Sequence, residues 1–501
     1  MNVGLPHTGD HARAGRVLVT GGLLLLLVVI TTGCATYSAK IADLRPELVA
    51  GDFESALQTV EDETGSKDRL LYFLERGIIL HYADRWTESN VAFAAAERLS
   101  DELYTKSISE GAFSLISNDN AISYRARPFE LAMVPYFRAL NYIYLGQRNE
   151  ALVEARRASL QMSKYVDTTL GSIRREDRGD LERIRNNAFL LYTSGMLYDW
   201  DGELNDAFTA YRNAAVAYQR NSGLLKLVPP PSLAADLARV SGRLGFKTEL
   251  DELRRSCPDV FRAAAAAAGD QMVAWQPGQG TVVFFLESGF VSAKTQIRFD
   301  FPVFEGEAYN DNSYWAWQIY AGMGNTQALV AGRKIEYWVS VAAPEMQDSV
   351  GSVAVARVSA VPADSTARAA ATVVPVAVSS RAENLSRQAR ITFDAEKPTI
   401  FFKTILRGLT KYLASRGAES AGGELAKWAA TLFGAVTESA DTRSWLTLPA
   451  DVHLVRLNLP AGRWDLEVEL TGHGGEPLGS QTVADVQVRA GDWTFLSRRL
   501  F

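Results

Sequence analysis

A spacing constrains this chain more than any other feature of it. In residues 191–217, LYTSGMLYDWDGELNDAFTAYRNAAVA, the residues Gly195, Tyr198, Gly202, Ala207, Tyr211 and Ala214 fall where two antiparallel helices need small or aromatic side chains to interlock. With Gly202 taken as the turn, matching offsets recur around Asp84 (Gly77, Leu80, Phe93, Ala96) and Gly146 (Ala139, Tyr142, Ala151, Ala155, Ala158). They recur more weakly around Gly51 (Leu44, Ala56, Val60). A single helical hairpin cannot bury its apolar face, so hairpins of this kind must stack.

The pattern resembles the tetratricopeptide (TPR) repeat, which implies an α-solenoid over residues 34–260. The four turns lie 33, 62 and 56 residues apart, so two insertions interrupt an otherwise regular array. The one over 167–185 is a charged run and reads as a solvated turn with a lengthened helix. The one over 100–127 ends in SNDNAISYRARP. Insertions in a solenoid tend to gather on one face, often the binding face, which makes Tyr124, Arg125 and Arg127 candidate partner-binding residues. Pro229, Pro230 and Pro231 stop the array, and helices over 233–244 and 248–255 are expected to cap it.

The amino terminus sets the expected compartment. Arg13 and Arg16 precede an apolar run, Val17 to Ile30, shorter than the ~20 residues that cross a bilayer. Small residues follow and then Cys34, so 1–33 reads as a secretion signal. The ending resembles the lipobox of bacterial lipoproteins, although Thr31 stands where that box usually has Leu. The resemblance implies acylation of Cys34, and Ala35 after it implies the outer membrane, facing the periplasm. Removing a leader that holds Arg13, Arg16 and Asp10 takes the formal charge from −6 to −7. No cluster of Lys and Arg stands out, which argues against nucleic acid as a partner. Beyond Cys34 only Cys257 remains, so no intramolecular disulfide is expected.

From Gly280 the periodicity becomes that of strands. Strands are expected at 281–286, 293–299, 335–341, 353–358 and 372–378, within a strand-rich domain over 280–395. A helical pair over 396–437 is expected to cover an open sheet face. Five more strands, 442–448, 452–457, 464–470, 482–488 and 493–497, give a β-sandwich-like carboxy-terminal module over 438–501. Its turns LPAGRW and VRAGDW both set Ala-Gly before a tryptophan. The fold class expected is therefore multidomain α + β: a TPR-like solenoid, then a strand-rich α+β region ending in an antiparallel sandwich. Tyr309, Tyr314, Trp315, Trp317 and Tyr320 form a dense ring cluster, readable as a sugar-stacking platform or as core.

Three segments, residues 128–158, 397–414 and 440–462, resemble an uncharacterised family of bacterial TPR-repeat-containing outer-membrane lipoproteins. Asp441, Arg443, Trp445, Leu448, Pro449 and Arg456 carry that pattern most strongly. The resemblance implies an envelope protein partner, with the peptidoglycan synthesis machinery favoured, and carries no catalytic residue. Beyond the leader, His81, His453 and His473 are far apart in sequence, and no HExxH, GxSxG, Walker or CxxC motif occurs. Neither catalysis nor a metal or other cofactor is therefore expected. The leading expectation is a protein-binding scaffold that uses the concave face of its repeats, with Arg443 and Trp445 as further candidate contacts or as a pair fixing helices to sheet. The alternative is a peptidoglycan or glycan-binding protein using the ring cluster.

Overall fold

The computed structural model describes residues 37, 43–63, 68–106, 122–267, 276–304, 334–370, 374–408 and 440–501. Among these residues five helical hairpins come first: α1 (Leu44–Ala50) with α2 (Phe53–Glu63), α3 (Arg69–Tyr82) with α4 (Trp86–Lys106), and α5 (Pro128–Tyr144) with α6 (Arg148–Gly171). After a short helix α7 (Gly179–Arg183) follow α8 (Ala188–Asp201) with α9 (Leu204–Leu225), and α10 (Pro231–Leu244) with α11 (Lys247–Ser256). The four turn positions read from sequence, Gly51, Asp84, Gly146 and Gly202, all adopt positive φ, as does Gly245 in the fifth hairpin. Close approach explains the small residues at the crossings. A Cβ on Gly77 would lie 2.6 Å from the Phe93 ring, and one on Gly195 would collide with Tyr211. A further helix, α12 (Pro258–Ala267), follows the buried Cys257 and was not expected.

The charged insertion is α6's extension, a 3-10 turn and α7. Its exposed ion pairs, Arg185 with Asp167 and Arg183 with Asp180, belong to a solvated surface.

Strands β1 (Gln279–Ser288), β7 (Asp451–Pro460), β6 (Ser380–Asn384) and β10 (Trp493–Leu500) form one sheet in the order β10-β1-β7-β6. Strands β5 (Val376–Val378), β4 (Val353–Pro362), β8 (Gly462–Gly472) and β9 (Pro477–Val488) form a second in the order β5-β4-β8-β9. Strands β2 (Lys294–Phe304) and β3 (Ile335–Met346) make a separate antiparallel ribbon. A helix over 385–408, α14 after the short α13 (Ser365–Ala370), covers one face of that ribbon through Phe401 and Ile405 against Phe301, Val303, Val339 and Val341. The second helix expected, near 423–437, lies outside the described residues.

This topology corrects the expected division at 395 and 438. Each four-stranded sheet draws two strands from either side of that division, so 280–395 and 438–501 cannot complete their sheets separately. The reason is long-range pairing: β1 sits between β7, antiparallel, and β10, parallel. The segment 442–448, expected as a strand, has no regular structure.

The layers follow from alternation along β1. Val282, Phe284 and Leu286 meet Val358, Ala360, Leu466 and Val468 of the second sheet in an apolar core. Val283 and Phe285 point the other way, into a larger core shared with the helices, where Phe285 meets the rings of Tyr136 and Phe189 edge-on. The molecule is thus a helical array, a sheet and a second sheet in succession. Among the described residues no helix is long and apolar enough to cross a membrane.

Candidate functional site

The inner helices α3, α5 and α8 face the first sheet, and residues 440–450 run between them as an extended strap. Trp445 is fully buried, its ring 5.9 Å from that of Phe93 and 6.2 Å from that of Phe137. The strap's main chain is read by side chains from the helices. Trp445 N–H donates to Glu130 Oε1 (2.7 Å) and Leu446 N–H to Glu75 Oε1 (2.9 Å), while the Thr447 hydroxyl donates to Glu75 Oε2. Arg45 of α1 donates to the Leu446 carbonyl (3.0 and 3.2 Å) and to that of Val291 (3.2 Å). Donors that would enter a strand ladder are taken by helix carboxylates, which is why 442–448 is irregular although its composition suits a strand.

The second carboxylate oxygen of Glu130 accepts from the Tyr124 hydroxyl (2.7 Å) and from Arg127 N–H (2.5 Å). Arg443 is buried beside it, donating to Asp441 (2.8 and 2.9 Å), Asp68 (3.0 Å) and the Ile122 carbonyl (3.0 Å), with its guanidinium 5.6 Å from the Tyr124 ring. Arg127 pairs with Glu396 at 2.9 Å and donates to the Arg125 carbonyl at 3.1 Å. Tyr124, Arg127, Arg443 and Trp445, named from sequence as partner contacts together with Arg125, are therefore gathered around Glu130 and engaged within the chain. Tyr124, Arg443 and Trp445 are buried, and Arg125 and Arg127 are half-buried. In this placement Tyr124, Arg443 and Trp445 help to join the helices to the strap. The concave face is likewise occupied by the chain's own strap and sheet.

Two more glutamates are buried where helices meet sheet. Glu287, at the end of β1, accepts from Tyr82 (2.7 Å) and Tyr136 (2.9 Å). Glu383 of β6 accepts from Asn187 (2.5 Å), Gln388 (2.8 Å) and the Asn384 N–H (2.7 Å). Burial pushes both carboxyls above the usual range, and it pushes Glu75 up to about 7. Asp441 behaves oppositely: burial would raise it, but the bonds and charge of Arg443 hold it well below the ordinary carboxylate range. Farther along, Arg456 of β7 joins Asp236 of α10 at 2.8 Å and lies 4.5 Å from the Trp493 ring.

Sequence reasoning missed Arg45, Glu75, Glu130 and Glu287. Signals existed: Glu75 interrupts the apolar face of LLYFLERGIIL, and Glu287 closes the wholly apolar run VVFFL. Neither the ring cluster Tyr309, Tyr314, Trp315, Trp317 and Tyr320 nor Cys34 falls within the described residues. His81 is buried and donates to Asn141 Oδ1 (2.6 Å), while His473 Nε2 donates to the Gly351 carbonyl (3.0 Å). Among the described residues no group of three or more His, Cys, Asp or Glu is placed to hold a metal.

No protein-family model matches the chain, and no curated protein matches it. Among solved structures it has a weak, distant resemblance to the TPR2AB domain of yeast Sti1 in its complex with pHSP90. That likeness, at 10% identity, spans 46% of this chain and 98% of the other, with a TM-score of 0.20.

Proposed function

We propose that this chain is a protein-binding scaffold of the bacterial cell envelope. In this reading its hairpins are TPR-like, its paired sheets form a sandwich-like module, and acylated Cys34 tethers it to the outer membrane, facing the periplasm. The leader and Cys34 support the compartment. With the concave face filled from within, the partner surface is the outer face of the hairpins.

One observation carries this reading. Val91, Val153, Leu160 and Val216 stand 42 to 68% exposed on the consecutive outer helices α4, α6 and α9. Their positions are repeat-equivalent: Val91 and Val153 each lie seven residues beyond their turns, and Leu160 and Val216 each fourteen beyond theirs. A row of aliphatic side chains repeated across stacked units is an extended apolar surface rather than a scatter of single residues. The partner expected is an envelope protein, with the peptidoglycan synthesis machinery the first to examine.

The test places a photo-crosslinking residue at 153 or 160 in the full-length protein in cells. One envelope protein should be captured there, and the combined substitutions Val91→Glu and Val216→Glu should abolish capture without lowering Tm. A palmitate analogue should label the parent and not Cys34→Ser. Capture only from positions off the row, or a cytosolic chain still carrying residues 1–33, would count against the reading.

A further inference from the structure

A cavity of about 410 Å³ opens between the turn after α9 and the link joining the two sheets. Lys226, Ser379, Ser380 and Arg381 supply its polar lining, and Val228 and Val355 are among its apolar residues. Arg381 is the unusual member. A guanidinium carries five N–H donors, and this one forms no hydrogen bond with any described residue; its Nε is buried without a partner. Its nearest carboxylate, Asp451 Oδ1, lies at 3.6 Å, an ion-pair distance, while Asp451 Oδ2 accepts from Gly351 N–H at 3.1 Å. With its buried Nε turned to Asp451, the rest of this cavity-lining guanidinium has no hydrogen-bond acceptor among the described residues and can take one from a ligand.

Lys226 faces the same cavity with no ion pair among the described residues. It occupies the left-handed position that ends α9 (φ 55°, ψ 49°), where glycine is the usual residue and a side chain costs about 1 kcal/mol. The two cations against Asp451 leave one positive charge in excess. Ser379 Oγ accepts from Ala356 N–H (2.9 Å) and lies 3.3 Å from His453 Nδ1, so it is held in place, and Ser380 is also on the lining.

We infer that this cavity is a binding site for a small organic anion, a carboxylate or phosphate on a short aliphatic body, with Arg381 and Lys226 taking the charged head and Val228 and Val355 the body. A planar fork suits either head group, and a volume of this size suits a ligand rather than one water. The inference is independent of the scaffold reading, since the cavity lies away from the outer row.

The test titrates the full chain with hexanoate, butyl phosphate, inorganic phosphate and hexanol, using calorimetry and ligand-observed NMR. At least one of the first two should bind saturably, with Kd at or below about 1 mM. Inorganic phosphate and hexanol should each bind at least about tenfold more weakly, because each lacks half of the match. Lys226→Gln, an exposed change, should weaken binding by about tenfold at unchanged Tm. Arg381→Lys, which keeps the charge opposite Asp451, should weaken it through loss of the fork. No saturable binding by hexanoate or butyl phosphate, or a folded Lys226→Gln chain that binds like the parent, would overturn the inference. Preference for hexanoate identifies the head group as a carboxylate, and preference for butyl phosphate as a phosphate.

Discussion

Strand β1 divides two interfaces that are built differently. Toward the second sheet, Val282, Phe284 and Leu286 pack into an apolar cluster that holds no carboxylate, with the buried imidazole of His453 opposite Leu286 at its end. Toward the helices, Val283 and Phe285 share their face with Glu287, and the same boundary holds Glu75, Glu130 and Glu383, all buried and all hydrogen-bonded. The first interface depends on area and shape and tolerates many substitutions that conserve volume. The second gains little net stability from its carboxylates over an apolar equivalent, but it penalises any docking that leaves one unmatched. Helices and sheet are thereby held in one register, and the strap is the element that records it.

Truncating one large ring on each side is the strongest challenge to this contrast. Phe284→Ala and Trp445→Ala should each cost about 3–5 kcal/mol in denaturant unfolding. Their hydrogen-exchange patterns should differ. Loss of Phe284 should weaken both sheets together, whereas loss of Trp445 should expose the strap amides and α3 and α5 first. Matching patterns would mean that the two interfaces are one cooperative unit.

The next effect is pH dependence. Glu75 holds its proton more tightly in the folded state, with a pKa of about 7 against 4.5 unfolded. Its contribution to stability is therefore complete below 4.5 and is lost as pH rises through 7, up to ~3 kcal/mol. His81 and His453 work in the opposite direction. Burial lowers them to about 4 and about 3, so their contribution is present above 6.5 and is lost as pH falls. Denaturant unfolding from pH 4 to 8 should show Glu75→Gln with a shallower decline on the alkaline side and an unchanged acid side. An unchanged alkaline side would mean that Glu287 and Glu383 govern it instead.

The smallest effect concerns hydrogen bonding alone. Glu130→Gln keeps the shape but leaves donors from Trp445, Tyr124 and Arg127 competing for one carbonyl, at a cost of roughly 1–3 kcal/mol. Adding Trp445→Ala should cost less than the sum of the two, since both residues hold the same strap. Strict additivity would separate the carboxylate from the strap.

Much of the helical half was legible because its signals are local. A turn that needs positive φ shows as Gly51, Gly146 or Gly202, and a close crossing shows as Gly77 or Gly195. The strands were legible as segments, from TVVFFL to the tryptophan-led β10. Their pairing was not, because β1's neighbours lie more than 160 residues away and nothing in TVVFFL names them. The strap was misread for a related reason: an extended segment looks the same whether its amides meet a strand or a carboxylate. The binding side chains were hidden because Glu75 and Glu130 resemble solvated helix residues until the chain covering them is seen.

The parallel partnership of β1 with β10 has a consequence for biogenesis. Thr281 through Ser288 meet Trp493 through Leu500 residue by residue, so the central strand keeps an open edge until those late residues have been made. A nascent or truncated polypeptide would show the unpaired amides and carbonyls of an apolar strand to any neighbour able to hydrogen-bond with it. The arrival of residues 493–500 is thus the event that covers β1 and moves the sheet's edge outward to β10.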